Sequence, residues 1–270
     1  ISPRFANDNG FVSQSGVRRA TAFGALRLGP RELAGLDLHE REAQLKLQET
    51  RTLADPLLGV AAGQVVDRQL QPGFWFSAAR NTGVWGHVGL DSHRARNGGA
   101  LHATRTLLLG FESNPGELLT LVNAELEWGR RLDVEADRVG PGAQGHGQAQ
   151  WRTPLPGGWW LELDQRLALG WVNAPDGRRA FTDRSAQTLL VLHLSPRDSL
   201  RLIHQRTRFT RRADADAGLA AQQESGRVLS VMFQHRLGIA RVLSLGFNAS
   251  QGQPGALRSS ELFAKASVGY

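Results

Sequence analysis

The stretch GGWWLELDQRLALGWV, residues 157–172, alternates between two kinds of side chain. The odd-numbered positions from Trp159 to Trp171 are mainly large and apolar, whereas the even-numbered positions between them are mainly charged or small. A period of two residues is that of a β-strand with one dry and one wet face. On a helix of 3.6 residues per turn the charged residues would be scattered around the cylinder. The stretch therefore predicts one long strand.

The same alternation recurs along the chain, over 118–136, 84–93 and 243–248. Strands of soluble proteins usually have about 5–6 residues, and the longest of these runs is several times that length. The whole chain is therefore predicted to be all-β.

The turn residues repeat at a nearly constant spacing of 40 to 43 residues. They predict short connections at Pro30, Pro72, Pro115, Pro156, Pro196 and Gly238. Longer polar segments predict the connections at the other ends of the strands, at 96–99, 136–145, 173–180 and 211–226. A repeat near 40 residues is also typical of propeller blades, but an unbroken 118–136 run leaves no room for four short strands per blade. One long hairpin per ~41 residues is the favoured interpretation.

Composition excludes several classes of site. The 270 residues include no Cys, so there is no disulfide, thiolate metal site or Cys nucleophile. The formal net charge is +7, but arginine is spread along the chain rather than forming a block that would indicate nucleic acid. No stretch of 18 apolar residues predicts a transmembrane helix, and no secretory signal is recognisable at the start.

The apolar face of these strands is predicted to contact lipid. It consists mainly of Leu, Val and Ala, whereas a soluble core would favour larger residues. Trp159 and Trp171 share one face of one strand and lie roughly 30 Å apart in height, at ~3.3 Å per residue and a tilt of ~40°. That height is close to the apolar band of a membrane barrel between its aromatic girdles. The alternative is a large soluble sandwich with both tryptophans in its core.

The chain resembles a Gram-negative outer-membrane β-barrel. The resemblance rests on the alternation of short turns with longer loops and on the last strand, which ends in Tyr270 with Val268 two residues before it. The terminal strand departs from the commonest form at Phe263 and Lys265. The resemblance implies an outer-membrane location, lipopolysaccharide and other outer-membrane lipids as partners, and assembly by the barrel-assembly machinery. It allows a periplasmic or surface protein partner, and no nucleic acid.

The expected fold is a closed antiparallel transmembrane β-barrel of about 14 strands, with 12 to 16 allowed. Residues 1–16 are expected to be a lead-in, a plug or the first strand, and 17–270 the barrel. Residues 74–90 keep one parity and are predicted to be one strand, whereas 54–70 alternate weakly and are predicted to be helical or kinked.

The wet face is expected to line the lumen, with an acidic wall in 117–136 opposite a basic wall in 199–212. The predicted lumen-lining residues are Glu125, Glu127, Asp133, Glu135, Glu162, Asp164, Arg166, His204, Arg206, Arg208, Arg236, Lys265, Trp75, Trp85 and Trp160. The predicted girdle residues are Trp159, Trp171 and Tyr270, and Arg105, Arg130, Arg201 and Arg241 are expected on the outer face near the interfaces. The charges could instead pair across a narrow, plugged lumen.

The favoured function is a channel for polar solutes, or for export of a polymer such as polysaccharide, as in the barrel domains of exopolysaccharide exporters. The alternative is a translocator, assembly or scaffold barrel that works with a partner protein. No enzyme activity, cofactor, catalytic residue or metal ligand is predicted: there is no G-x-S-x-G and no H-E-x-x-H. Four histidines could line one wall and suggest a metal or acid–base group, but no such spacing supports it; they are His87, His93, His102 and His146.

Overall fold

The computed structural model describes residues 16–33, 35–55, 59–96, 98–238, 241–252 and 258–268. Within them the chain forms fourteen strands, and their bounds follow. The strands are β1 Val17–Arg27, β2 Arg31–Leu33, β3 Leu36–Thr52, β4 Val65–Ala78, β5 Thr82–Arg94, β6 Leu101–Ser113, β7 Leu119–Asp133, β8 Arg138–Leu155, β9 Trp159–Asn173, β10 Arg179–His193, β11 Asp198–Arg211, β12 Gln222–Gly238, β13 Arg241–Gln251 and β14 Ser259–Val268.

The strands form a single sheet whose neighbours are all antiparallel. The order runs from β1 to β3 and then in sequence to β14, while β2 pairs with β3 beside β1. β1 and β2 therefore occupy one position, interrupted at 28–30. Pro30 lies in this gap, since proline has no N–H to give to a strand ladder. The predicted all-β antiparallel sheet of 14 strands is confirmed.

The connections alternate between two ends of the sheet. We call one the loop end; it carries the connections 53–64, 95–100, 134–137, 174–178, 212–221 and 252–258. We call the other the turn end; it carries 34–35, 79–81, 114–118, 156–158, 194–197 and 239–240. The predicted turns at Pro115, Pro156 and Pro196 and the loops at 96–99, 173–180 and 211–226 fall on these connections, and Gly238 ends β12.

The predicted turn at Pro72 and the predicted strand over 74–90 are wrong. Pro72 lies inside β4, and the turn is at 79–81. Phe76 pairs with Val84 across it, so even-numbered residues stay on one face through the turn and sequence parity does not reveal it. Pro72 is tolerated because the ladder between β4 and β5 is interrupted beside it, where the Asp91 carboxylate accepts the backbone N–H of Leu70 at 3.2 Å.

Two further predictions differ from the structure. Most of 136–145 belongs to β8 rather than to a loop. Its glycines do not form a turn but let the backbone of the neighbouring strand approach closely. A Cβ on Gly140 would lie 2.0 Å from the carbonyl oxygen of Asn173, and one on Gly142 would lie 2.3 Å from that of Trp171. In 54–70, the described residues form a bridge between Asp55 and Val60 and then β4, with no helix.

The described sheet has almost no apolar core. Its buried apolar residues are few and mostly small, and they are Val17, Leu38, Ala143, Val172, Ala174 and Ala180. Large apolar side chains are instead widely exposed, such as Leu126 at 46% and Leu167 at 56%. No second layer of structure covers them in the described residues. The fold therefore leaves a broad apolar face without a protein partner.

The two edge strands, β1 and β14, do not pair with each other in the described part of the chain. The order from β1 to β14, both included, contains thirteen strands because β2 lies off it. In an antiparallel sheet the first and the thirteenth strand run in the same direction. An all-antiparallel closure requires one more strand between them. Apart from Gly16, the expected lead-in or first strand at 1–16 lies outside the described residues. Closure and the division of the chain at 16 therefore stay predictions.

Candidate functional site

The strand pairing assigns the residues of each strand to two faces, since paired residues in antiparallel strands point to the same side. One row of pairs crosses ten strands, and we call its side the polar face. The row is Glu42, Trp75, Trp85, Gly110, Glu125, His146, Ala168, Ser185, Thr207 and Gly226. We call the opposite side, which carries Leu109, Leu126 and Leu167, the apolar face.

An indole and a carboxylate meet in this row across an intervening strand. Trp85 Nε1 on β5 donates to Glu125 Oε2 on β7 at 3.1 Å, passing over Gly110 on β6. A Cβ on Gly110 would lie 2.1 Å from the Trp85 ring, so only glycine leaves room for the indole. Trp75 is the cross-strand partner of Trp85. The sequence predicted that both tryptophans and Glu125 share one face, and the pairing shows that they do.

Other acids on the polar face are held by amides and arginines of adjacent residues. Asp164 accepts from the side-chain amides of Gln148 at 2.9 Å and Gln150 at 3.2 Å, and pairs with Arg166 at 2.9 Å. Glu127 is bound in the same way, by Arg131 at 2.7 Å and by Gln144 at 2.8 Å. The polar face is therefore a hydrogen-bonded, charge-balanced surface that is compatible with contact to water.

Two histidines on the polar face contact aspartates. His93 Nδ1 lies 2.7 Å from Asp67, and His102 Nε2 lies 2.7 Å from Asp137 in the 134–137 connection. The hydrogen bond with His102 lowers the pKa of Asp137, against the effect of burial, and the charge of Arg96 adds to the lowering. No group of three or more possible metal ligands occurs in the part of the chain that the structure describes.

An ion-pair cluster joins distant strands at the loop end. The Arg211 guanidinium on β11 donates two hydrogen bonds of 3.0 Å to the Asp133 carboxylate on β7, and its Nε lies 2.9 Å from Glu135. The side chains of Asp133 and Arg211 are 1% and 5% exposed. Arg211 also lies over the rings of Phe181 and Phe209, at 5.0 and 5.9 Å.

This cluster shows that the sheet is curved. Three strands separate β7 from β11, so in a flat sheet their backbones would be about 19 Å apart, at ~4.8 Å per strand. A bidentate contact between Asp133 and Arg211 closes that distance, so the polar face is concave between these strands. A second pair, Arg138 with Asp214, joins the start of β8 to the 212–221 connection at the same end.

Most of the predicted lumen residues share the polar face. They are Glu125, Glu127, Asp133, Glu162, Asp164, Arg166, Arg236, Lys265, Trp75, Trp85 and Trp160. Glu135 lies in the connection after β7, at Arg211. That these side chains line a lumen stays a prediction.

The placement of β11 corrects the sequence interpretation. Arg206 pairs with Ala186, Arg208 with Arg184 and His204 with Thr188. All three lie on the apolar face, while Arg201 lies on the polar face. Acidic and basic walls therefore do not face one another as predicted, because His204, Arg206 and Arg208 of β11 lie on the apolar face. Sequence spacing gives no signal of the contact between Arg211 and Asp133.

The predicted girdle tryptophans lie on the apolar face, Trp159 at the turn end of β9 and Trp171 near its loop end. Tyr270 lies outside the described residues. Among the described residues no helix is long and apolar enough to cross a membrane.

Comparisons with known proteins give likenesses in fold alone. No family model matches the chain. No curated protein matches it. Among solved structures, OmpTΔL8, the loop L8 deletion mutant of the Vibrio cholerae outer membrane protein OmpT, is 9% identical over 94% of this chain and 99% of its own, with a TM-score of 0.37. In-vitro folded OmpT is 8% identical over 95% and 96%, with a TM-score of 0.32. The translocator domain of the autotransporter NalP from Neisseria meningitidis is 11% identical over 97% and 91%, with a TM-score of 0.28. At these values the likenesses carry no functional argument.

Proposed function

We propose that the chain is a β-barrel of a Gram-negative outer membrane and that its polar face lines a path for polar solutes. One observation carries the proposal: a single curved sheet has one hydrogen-bonded polar face and one exposed apolar face that no other part of the described chain covers. Lipid covers such a face without a second protein layer. Closure of the sheet, which membrane insertion requires, is part of the proposal.

The chemistry of the polar row supports a solute path. Trp75 and Trp85 present adjacent aromatic rings beside Glu125, and flat rings next to hydrogen-bonding groups suit carbohydrate. Acids and bases occur together on this face, and rings of charge set the ion selectivity of a water-filled pore. Polar molecules such as sugars are the solutes that we propose.

The test is conductance of the purified chain, refolded in detergent, in planar lipid bilayers. We expect stable open levels and a measurable ion selectivity. Glu125→Gln removes one negative charge from the path and shifts the reversal potential in a KCl gradient towards anion preference. Glu49→Gln is the matched control, because Glu49 lies on the apolar face and pairs with Arg68.

Three results would contradict parts of this proposal. A chain that stays soluble and folded without detergent contradicts the membrane location. A barrel that inserts but stays silent until a partner protein is added favours the translocator or scaffold alternative. Equal shifts in the Glu125 and Glu49 variants contradict the assignment of the polar face to the path.

A further inference from the structure

Four arginines lie together on the apolar face of β10, β11 and β12. Arg184 is the cross-strand partner of Arg208, and Arg206 is that of Arg227. We call these four residues the arginine patch. Like charges directly opposite one another destabilise a sheet unless something else neutralises them. The patch therefore opposes the stability of the isolated chain.

No protein group in the described residues neutralises the patch. All four side chains are exposed, and no hydrogen bond or ion pair joins any of them to another described residue. On the apolar face of β5 to β13 the acidic residue is Asp198, which lies at the turn end beside His235. The other residues of β5 to β13 on this face that carry a full charge are arginines. An external anion is the counter-charge that the patch lacks.

The patch lies towards the loop end. Arg184 and Arg227 are five residues from the loop ends of β10 and β12, and Arg206 is five from that of β11. An arginine on the lipid face costs about 2–4 kcal/mol at the middle of the bilayer and about 0–1 kcal/mol near its surface. Headgroups also begin near that surface, so the patch is at a depth where a lipid phosphate is available.

Apolar residues adjoin the patch on the same face. One row of cross-strand pairs runs from Leu169 to Arg184 and Arg208, and the next runs from Leu167 through Ala186 to Arg206 and Arg227. Guanidinium groups bind phosphate oxygens in a bidentate geometry, while the leucine side offers a surface for hydrocarbon. A ligand that suits both sides has an anionic head and acyl chains.

We propose that the arginine patch binds the phosphate headgroup of an anionic lipid, whose acyl chains lie along the neighbouring leucines. The site rests on the proposed membrane location and adds to it a specific lipid, since a generic lipid-facing surface needs no arginine. A lipid site also explains why β11 departs from the alternation of the other strands, because Arg206 and Arg208 bind the lipid phosphate.

The experiment measures quenching of tryptophan fluorescence in neutral-detergent micelles by phosphatidylglycerol with brominated chains. Brominated phosphatidylcholine and inorganic phosphate are the comparison ligands. Trp171 lies on the same face two residues from Leu169, the cross-strand partner of Arg184, so Trp171→Phe identifies the part of the quenching that comes from the site. We expect phosphatidylglycerol to bind roughly tenfold more tightly than phosphatidylcholine, the effect of about one charge-assisted hydrogen-bonded pair.

The variants test the patch itself. Arg206→Gln with Arg208→Gln removes the lipid preference. Arg105→Gln with Arg130→Gln is the matched control: these two are also cross-strand partners on the apolar face, but they lie on β6 and β7, away from the patch, and the preference remains. Arg206→Lys with Arg208→Lys keeps the charge and retains part of the preference, because lysine cannot bind phosphate through a planar fork.

Several outcomes would overturn the inference. These are no lipid preference in the unaltered chain, equal loss in the patch and control variants, or full competition by inorganic phosphate at millimolar concentration. Each variant is also reconstituted in phosphatidylcholine bilayers. A chain that inserts and conducts there but shows no lipid preference contradicts the site alone, whereas a chain that does not insert contradicts the proposed function.

Discussion

Replacing Asp133 by asparagine tests the curvature of the sheet at its loop end. The carboxylate is 1% exposed and accepts two hydrogen bonds of 3.0 Å from Arg211, whose side chain is 5% exposed. Asparagine has nearly the same shape but no charge, so the change leaves a buried guanidinium with a weaker partner. Removing one member of a buried ion pair typically costs about 3–5 kcal/mol.

The expected loss is near the lower limit, about 3 kcal/mol. Glu135, whose side chain is 52% exposed, stays 2.9 Å from Arg211 Nε and supplies part of the missing charge. The rings of Phe181 and Phe209 also remain against the guanidinium. Replacing Arg211 by methionine as well removes the unpaired charge, so the double variant is expected to lose less than the sum of the two single variants.

The assay is equilibrium unfolding by urea of the refolded chain in detergent, followed by tryptophan fluorescence and by heat-modifiable mobility on gels. Glu162→Gln is the matched control. Its pairs with Arg152 and His193 are also on the polar face, but the Glu162 side chain is 42% exposed, so its loss costs about 0.2–1 kcal/mol. If Asp133→Asn costs no more than this control, β7 and β11 do not meet and the inferred curvature is wrong.

Two further predictions concern the tryptophan row and a loop carboxylate. Gly110→Val forces the Trp85 ring from its place, because a Cβ on residue 110 would lie 2.1 Å from the ring, and the tryptophan emission of the folded chain should shift. Gly24→Val is the control: a Cβ on residue 24 has no atom within 4 Å, so the emission should stay unchanged. The hydrogen bond from the backbone N–H of Ala217 lowers the pKa of Asp214 below its ordinary 3.8. Because the ionised Asp214 is favoured in the folded state, it stabilises the fold at pH values above 3.8, and this contribution is lost as the pH falls through the lowered pKa. Asp214→Asn should therefore flatten the acid limb of a stability-versus-pH curve. An unchanged acid limb contradicts this prediction.

The sequence predicted the pattern within each strand well. The alternation in β5, β7, β9 and β13 places most of their leucines and valines on one face and most of their charges on the other, as the pairing shows, with Arg130 and Val172 among the exceptions. The reason is that period two is a local property of extended backbone and needs no knowledge of the partner strand. Turn residues located most connections for the same reason, since proline and glycine restrict only their own neighbourhood.

The assignment of faces from odd and even positions was wrong where it had to be extended from one strand to the next. At 79–81 the turn preserves parity, so the pattern predicts one strand over 74–90 and places the turn at Pro72 instead. In β11 large aliphatic residues and arginines occur on both faces, with Leu202 on the apolar face and Ile203 on the polar face, and the rule that charge marks the wet side gives the wrong face for Arg206 and Arg208. The contact of Asp133 with Arg211, 78 residues apart, also left no trace in the pattern.

The sequence by itself determined that this chain is a set of long antiparallel strands with one apolar and one polar side, because those features follow from extended backbone and local turn chemistry. Only the tertiary structure decided which side of β11 joins which face, which acid meets Arg211, and that four arginines gather beside leucines without a counter-charge among the described residues. Those outcomes depend on hydrogen-bond register and on curvature across several strands, and both are set by contacts between residues far apart in the chain.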